Sequence, residues 1–294
     1  MKKIKGIVLA GGLGTRLYPA TIANSKQLLP VHDKPMIYYP ISTLLSIGIT
    51  DLIIIIKEED KDSFQRLFSH LKDFKFQVKF VLQKKPNGIA EAYKITKELI
   101  KNYFTCLILG DNIFYGNNLT KKLKVAKNNL IKNNQAQIFA NYVKNPNNYG
   151  VVEFDKDHKI LKIIEKPKYT KSNYAIPGIY FFPPDVINKY KYIKLSKRNE
   201  YEIVDLQNIY LKEKRLKLNI FDRDLVWFDT GSIESLNKAS VFIQSIEERH
   251  GILFGSIEET CFKNNLITKQ NFIKFLNKNK KVNYYLNLKK NIFK

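Results

Sequence analysis

Close to the start of this chain an apolar run, Ile7-Val8-Leu9-Ala10, breaks abruptly into Gly11-Gly12-Leu13-Gly14-Thr15-Arg16, and the rest of the chain is organised around this junction. The run has the length and composition of a buried strand. The glycines after it remove the Cβ atoms that would hold backbone N–H groups away from a ligand. Such a turn presents a concave set of N–H donors suited to phosphate, to which Thr15 adds a hydroxyl and Arg16 and Lys26 add positive charge. In many α/β proteins a glycine turn only lets a strand reverse, so the two cations carry the functional part of the reading. Two phosphate loops are excluded: no Gly-Lys-Ser/Thr closes the stretch as in a Walker loop, and the glycines run G-G-x-G, not G-x-G-x-x-G.

The rest of the first 110 residues alternates. A helix is predicted from Pro35 to Leu45 with a stop at Gly48, a fully buried strand over Leu52 to Ile56, and a helix over Asp60 to Lys72. Further strands are predicted over Phe76 to Leu82 and Thr105 to Leu109. This order predicts right-handed βαβ units and a three-layer α/β/α fold, Rossmann-like and doubly wound, in which ligands sit beyond the carboxyl ends of the strands. After Phe76 to Leu82 comes Gln83-Lys84-Lys85-Pro86-Asn87-Gly88, where Gln83 offers an amide and Gly88 lets backbone approach a flat base, unless this is an ordinary Pro-Gly turn. After Thr105 to Leu109 comes Gly110-Asp111-Asn112. A carboxylate ending an apolar strand is costly if buried unpaired, so Asp111 is expected to face a ligand or a cation; Mg²⁺ takes one or two carboxylates together with phosphate oxygens.

From Ile138 the texture changes to short alternating strands: Ile138 to Val143, Tyr149 to Phe154, Ile160 to Ile164 and Tyr174 to Phe182. They predict a β extension that makes the sheet mixed. An amphipathic helix follows over Glu202 to Lys214, a long one runs from Ser232 to about His250, and two or three short helices complete the chain. The expected division is 1–250, with halves 1–115 and 116–250, followed by a helical region 251–294.

The formal charge of +23 raises the possibility of nucleic-acid binding. The excess is lysine, however, scattered along the chain, while arginine stands only at positions 16, 66, 198, 215, 223 and 249; no nucleic-acid partner is expected. No apolar run is long enough to cross a membrane and Met1-Lys2-Lys3 does not open a signal peptide, so a cytoplasmic protein with no membrane partner is expected. Cys106 and Cys261 have no metal spacing, and none of the four histidines falls in a motif.

The string LAGGLGTRLYPAT followed by SKQLLPVHDKPMIYYP resembles the amino-terminal signature of the sugar-nucleotide pyrophosphorylases, above all their thymidylyl-transferring branch, and further motifs follow in family order to about residue 263. The resemblance implies transfer of a nucleotidyl group from dTTP to glucose 1-phosphate, giving dTDP-glucose and pyrophosphate, as the first step toward dTDP-sugars such as dTDP-rhamnose. It implies Mg²⁺ held by Asp111 and by Asp229 of Trp227-Phe228-Asp229-Thr230-Gly231, with Arg16, Lys26, Asp111 and Asp229 as the catalytic set. The nucleotide would meet Leu9, Gly11, Gly12, Gly14, Thr15, Arg16, Gln27, Gln83, Pro86, Gly88 and Asp111. The sugar phosphate would meet Asn112, Tyr149, Gly150, Glu165, Lys166, Ile176, Gly178 and Trp227. A homo-oligomer, by resemblance a tetramer, is implied as well.

Several positions depart from the family pattern. Glu91 replaces a glutamine, a change expected to be tolerated on a helix. Pro177 replaces a threonine, which predicts looser hexose selectivity. Asn199 replaces a glycine, and Lys263 replaces an arginine in a C-terminal stretch that in many members helps form a second nucleotide site. The alternatives are a related uridylyl- or cytidylyltransferase and a sugar-nucleotide-binding protein without catalysis.

Overall fold

The computed structural model describes residues 3–293. Its centre is a ten-stranded mixed sheet. Strand β1 (Ile4–Leu9) leads through the glycine loop to a small hairpin, β2 (Pro30–Val31) and β3 (Lys34–Pro35), and then to helix α1 (Tyr38–Ser46), which starts later than Pro35 because that proline ends the hairpin. There follow β4 (Asp51–Ile56), α2 (Lys61–Ser69), β5 (Gln77–Leu82), the short helices α3 (Glu91–Ile95) and α4 (Lys97–Ile100), and β6 (Phe104–Leu109). Strands β6, β1, β4 and β5 lie side by side and parallel, as the βαβ alternation predicts.

Beyond β6 the chain adds β7 (Asn112–Tyr115), α5 (Leu119–Asn133), β8 (Ala136–Tyr142), β9 (Gly150–Phe154) and β10 (Ile160–Glu165). The single strand expected over Tyr174 to Phe182 is two: β11 (Tyr174–Ala175) and β12 (Ile179–Phe182). Pro177 has no N–H to give to a ladder, and across the break Ile176 donates to Gly150 O at 2.7 Å. Strand β12 runs antiparallel between β6 and β8, so the extension continues the first sheet. After α6 (Val186–Tyr190) and α7 (Ile203–Lys212), β13 (Leu216–Ile220) adds to β8, and β14 (Val226–Asp229) pairs antiparallel with β7. Strands β7 and β14, four residues each, are too short to show a clear period in the sequence.

Alternation along the central strands divides the core between two faces. Leu52, Ile54 and Ile56 of β4 pack with Val8 and Cys106 on one face, and Ile53 and Ile55 with Ile7 and Leu107 on the other. A sheet buried on both sides needs apolar residues at every position, which is why Leu52 to Ile56 has no polar interruption. Helix α8 (Ile233–His250) begins with a capping box, Ser232 and Ser235, and covers the hairpin and the β7–β14 pair. Helices α9 (Ile257–Lys263), α10 (Lys269–Lys278) and α11 (Asn283–Ile292) complete the chain; buried Glu258 accepts from Ser256 and Tyr284, both at 3.1 Å, so this acidic residue is internal. Among the described residues no helix is long and apolar enough to cross a membrane.

The loop after β5 is tied to the segment before α7. Tyr201, just before α7, donates its N–H to Asn87 O at 2.7 Å and accepts from Ala90 N at 3.1 Å. Gly88 lies between them with φ +103°, and a Cβ there would come within 2.6 Å of the Tyr201 backbone. Its bareness thus serves loop-to-loop docking. Gly88→Ala is expected to destabilise the fold by about 2 kcal/mol in urea unfolding, since it meets both a forbidden φ and fixed backbone.

Candidate active site

The carboxyl ends of β1, β5 and β6 meet, as expected for an open α/β sheet. Gly110 N donates to Leu9 O at 2.9 Å and so ties the loops after β1 and β6 together. Among the described residues none of the N–H groups of Gly11 to Gly14 donates to backbone, which leaves the loop's donors open to an anion. Gly14 adopts the left-handed conformation, and its carbonyl accepts from Leu17 N and Thr21 Oγ1 to close the turn. Thr15 and Arg16 are exposed at its rim, and Pro86 is exposed on the loop after β5.

Asp111 and Asp229 come together because β14 pairs with β7: Asp229 stands opposite Asn112, and Thr230 bonds Asp111 O through both N, at 3.0 Å, and Oγ1, at 2.8 Å. Lys26, buried in the turn after the glycine loop, pairs with Asp111. Burial pushes the Asp111 carboxyl up, but the charge and hydrogen bond of Lys26, with the Asn112 amide, outweigh it and hold the group below the usual range. Asp229 goes the other way: burial first, then the charge of Asp111, push it up to about 6 against the opposing charges of Lys26, Arg16 and Lys166. Two neighbouring carboxylates that cannot both ionise comfortably are hard oxygen donors short of positive charge, which fits a divalent cation.

Among the described residues neither Arg16 nor Lys166 has an ion-pair partner. The Arg16 guanidinium lies over Gly231, where a Cβ would come within 2.6 Å of Nη2. Lys166 has φ +40°, a conformation rare outside glycine, and its N–H donates to Tyr149 O at 3.0 Å.

Beside this centre is a cavity of about 150 Å³ that contains all of the expected sugar residues: Asn112, Tyr149, Gly150, Glu165, Lys166, Ile176, Gly178 and Trp227. Asn112 is a junction: its Oδ1 accepts from Trp227 Nε1 at 2.7 Å and Gly178 N at 3.0 Å, and its Nδ2 donates to Asp111 Oδ1 at 3.0 Å. The Trp227 and Tyr149 rings pack 4.9 Å apart. Glu165 accepts from Arg198 at 3.1 Å; burial and the charge of Glu202 raise its pKa, while Lys166 and Arg198 oppose them. Pro177 is buried and does not line the cavity, so the sequence-based link between this proline and hexose selectivity has no contact to support it. A larger groove of about 650 Å³, between α2 and the edge strand β5, holds none of the motif residues.

Sequence reasoning missed the α7 side of the cavity. Arg198, Glu200, Glu202, Val204 and Gln207 all line it. Gln207 is 0% exposed, and neither of its amide atoms has a partner. The signal available in the sequence was a glutamine on the apolar face of an amphipathic helix. Glu91, expected to be an incidental change on a helix, is buried and accepts three hydrogen bonds. A second acidic group, His32, Asp33 and Glu247, could be taken for a metal site, but the Lys34 ammonium already pairs with both carboxylates, 2.9 Å from Glu247, and supplies the cation itself.

A family model for nucleotidyl transferases matches residues 5–246. The chain belongs to the nucleotidyl transferase family. Within it, the chain is 45% identical over 267 residues to the glucose-1-phosphate thymidylyltransferase of Neisseria gonorrhoeae, an alignment covering 91% of this chain and 92% of that protein. It is 44% identical over 260 residues to the enzyme of the same name from Mycolicibacterium smegmatis, covering 88% and 89%. Among solved structures it resembles a putative glucose-1-phosphate thymidylyltransferase from Bacillus anthracis in complex with a sucrose, with a TM-score of 0.74, 35% identity and coverage of 81% of this chain and 94% of that one. It also resembles a UDP-glucose pyrophosphorylase complexed with UDP-glucose, with a TM-score of 0.73, 26% identity and coverage of 84% and 100%.

The raised Asp229 carboxyl makes a stability prediction. Its pKa of about 6 lies above the ordinary value of 3.8, so between about pH 4 and pH 6 the folded protein holds a proton that the unfolded chain has lost. Stability from this group is therefore lost as pH rises through that window, by on the order of 2 kcal/mol once partial exposure is allowed for. Denaturant unfolding without divalent cation should find Asp229→Asn more stable than wild type at pH 7, with the gap closing by pH 4. Added Mg²⁺ should stabilise wild type more than the variant.

Proposed function

We propose that this protein transfers a thymidylyl group from dTTP to glucose 1-phosphate, forming dTDP-glucose and releasing pyrophosphate. The observation that carries the reading is the position of the carboxylate pair Asp111 and Asp229, between an N–H-lined glycine loop and a hexose-sized cavity, with Arg16 and Lys166 beside it. The names of the relatives at 45% and 44% identity support the choice of base and sugar over the UDP-glucose bound in the 26% identical structure.

In this reading an oxygen of the sugar phosphate attacks the α-phosphorus of dTTP, the bond to the β-phosphate breaks, and pyrophosphate leaves. Positioning and charge carry such a reaction, so no protein nucleophile is needed. Asp111 and Asp229 would hold Mg²⁺, which when bound neutralises phosphate charge. Lys26, already held by Asp111, faces the α-phosphate; Arg16, at the loop rim, meets the departing pyrophosphate; Lys166 steadies the sugar phosphate. Gln27 and Gln83 meet the base. Glu165, Gly150 and Gln207 meet the hexose, and the unpaired amide of Gln207 supplies a donor and an acceptor to its hydroxyls.

Rates of pyrophosphate release with dTTP, UTP and CTP, each with glucose 1-phosphate, test the substrates; equal use of CTP would sink the base assignment. Asp111→Asn is expected to lose about a hundredfold or more in kcat. Arg16→Ala is expected to weaken pyrophosphate in the reverse reaction at least as much as it slows the forward one, and an unchanged KM for pyrophosphate would reduce Arg16 to a loop-fixing residue. Gln207→Leu is expected to raise the KM for glucose 1-phosphate about tenfold while that for dTTP stays put; equal changes in both would show a general disturbance of the fold.

A further inference from the structure

A polar arrangement at the nucleotide end fixes something that the fold does not require. Gln83 follows β5 with its amide packed over Gly11, where an added Cβ would collide with Oε1. It is 5% exposed. Its Nε2 donates to Glu91 Oε2 at 3.1 Å, while Oε1 is buried without a partner. Glu91, the first residue of α3, is 6% exposed and also accepts from Asn87 N at 3.3 Å and Asn87 Nδ2 at 2.9 Å.

A side-chain amide is almost symmetric in shape and can present either end. A carboxylate offers acceptors alone, so the end of Gln83 that faces Glu91 has to be the NH₂. The opposite end is then an acceptor, and it is the one left unpaired. Gln27 is not restrained in this way: its Oε1 is 3.1 Å from Ser25 Oγ, and a hydroxyl can donate or accept, so that amide is able to turn over.

We propose that Glu91 is a positioning residue for base selection, holding the carbonyl end of Gln83 toward the nucleobase so that the site takes a pyrimidine whose ring N3 donates, and rejects one whose N3 accepts. The inference rests on the reading of dTTP as substrate with Gln83 against the base. Thymine and uracil carry the N3–H that Gln83 Oε1 lacks as a partner. Cytosine would set its N3 lone pair against that oxygen, two buried acceptors facing each other, and Glu91 prevents the amide from turning to relieve them.

The test compares kcat/KM for dTTP and dCTP, each with glucose 1-phosphate, in wild type, Glu91→Leu, Glu91→Gln and Asn87→Ala. Wild type is expected to prefer dTTP by roughly tenfold to hundredfold. In Glu91→Leu the Gln83 amide is released and the preference falls about tenfold. Glu91→Gln lies between, because its own oxygen can still accept from Gln83. Asn87→Ala, which removes a donor from the other carboxylate oxygen, keeps the wild-type preference. A general loss of folded enzyme lowers both substrates together and leaves the ratio unmoved. If Glu91→Leu fails to fold, Glu91→Gln against wild type decides. An unaltered ratio in the folded Glu91 variants, with wild type still preferring dTTP, overturns the inference alone; a wild type indifferent between dTTP and dCTP overturns the substrate reading and the inference with it.

Discussion

The site depends on bringing two carboxylates together where neither is fully solvated. Asp111 follows a strand of the main sheet, and Asp229 ends a strand of a separate two-stranded pair. Apart, each is an ordinary acidic residue. Together they repel, and the result is visible in their opposite shifts: Asp111 keeps its charge because Lys26 is bound to it, and Asp229 is pushed up to about 6. That repulsion is held in the folded protein and is relieved by positive charge. The pair thereby fits a divalent cation, beside the cavity that Asp229 lines together with Asn112 and Trp227.

The groups around the pair keep it in register. The Asn112 amide joins β7, the Gly178 turn and Trp227, and donates to Asp111 as well. Thr230 grips the Asp111 carbonyl twice. Such groups are buried and satisfied, so their geometry has little freedom, and a positioned site costs no reorganisation when charge moves during the reaction. Arg16 and Lys166 follow the opposite rule. Among the described residues they are exposed and have no ion-pair partner.

The loop after β5 and helix α7 are also connected. The loop after β5 docks on Tyr201 through Asn87 and Ala90, and Tyr201 leads directly into α7, whose Val204 and Gln207 line the cavity. Asn87 in turn donates to Glu91, which holds Gln83. A short chain of hydrogen bonds thus runs from the Gln83 amide to the segment that leads into α7.

Features with a local cause were legible before any coordinates. Leu52 to Ile56 had to be a strand buried on both faces, the glycine loop had to end β1 with its donors open, and Asp111 had to face something charged, since an apolar strand end could not accept an unpaired carboxylate. Resemblance added Asp229 and the sugar motifs, because their order along the chain is itself a pattern. Features that depend on pairing across long separations came from the three-dimensional arrangement. Pro177 divides a strand and stays out of the cavity it was expected to shape; Gln207 lines that cavity from a helix whose period shows only an apolar face; Glu91 becomes the partner of Gln83. Hydrophobic periodicity records which side of an element is buried. It does not record which polar atom on that side lacks a partner, and Gln83 Oε1 and both amide atoms of Gln207 are among the buried side-chain atoms without one.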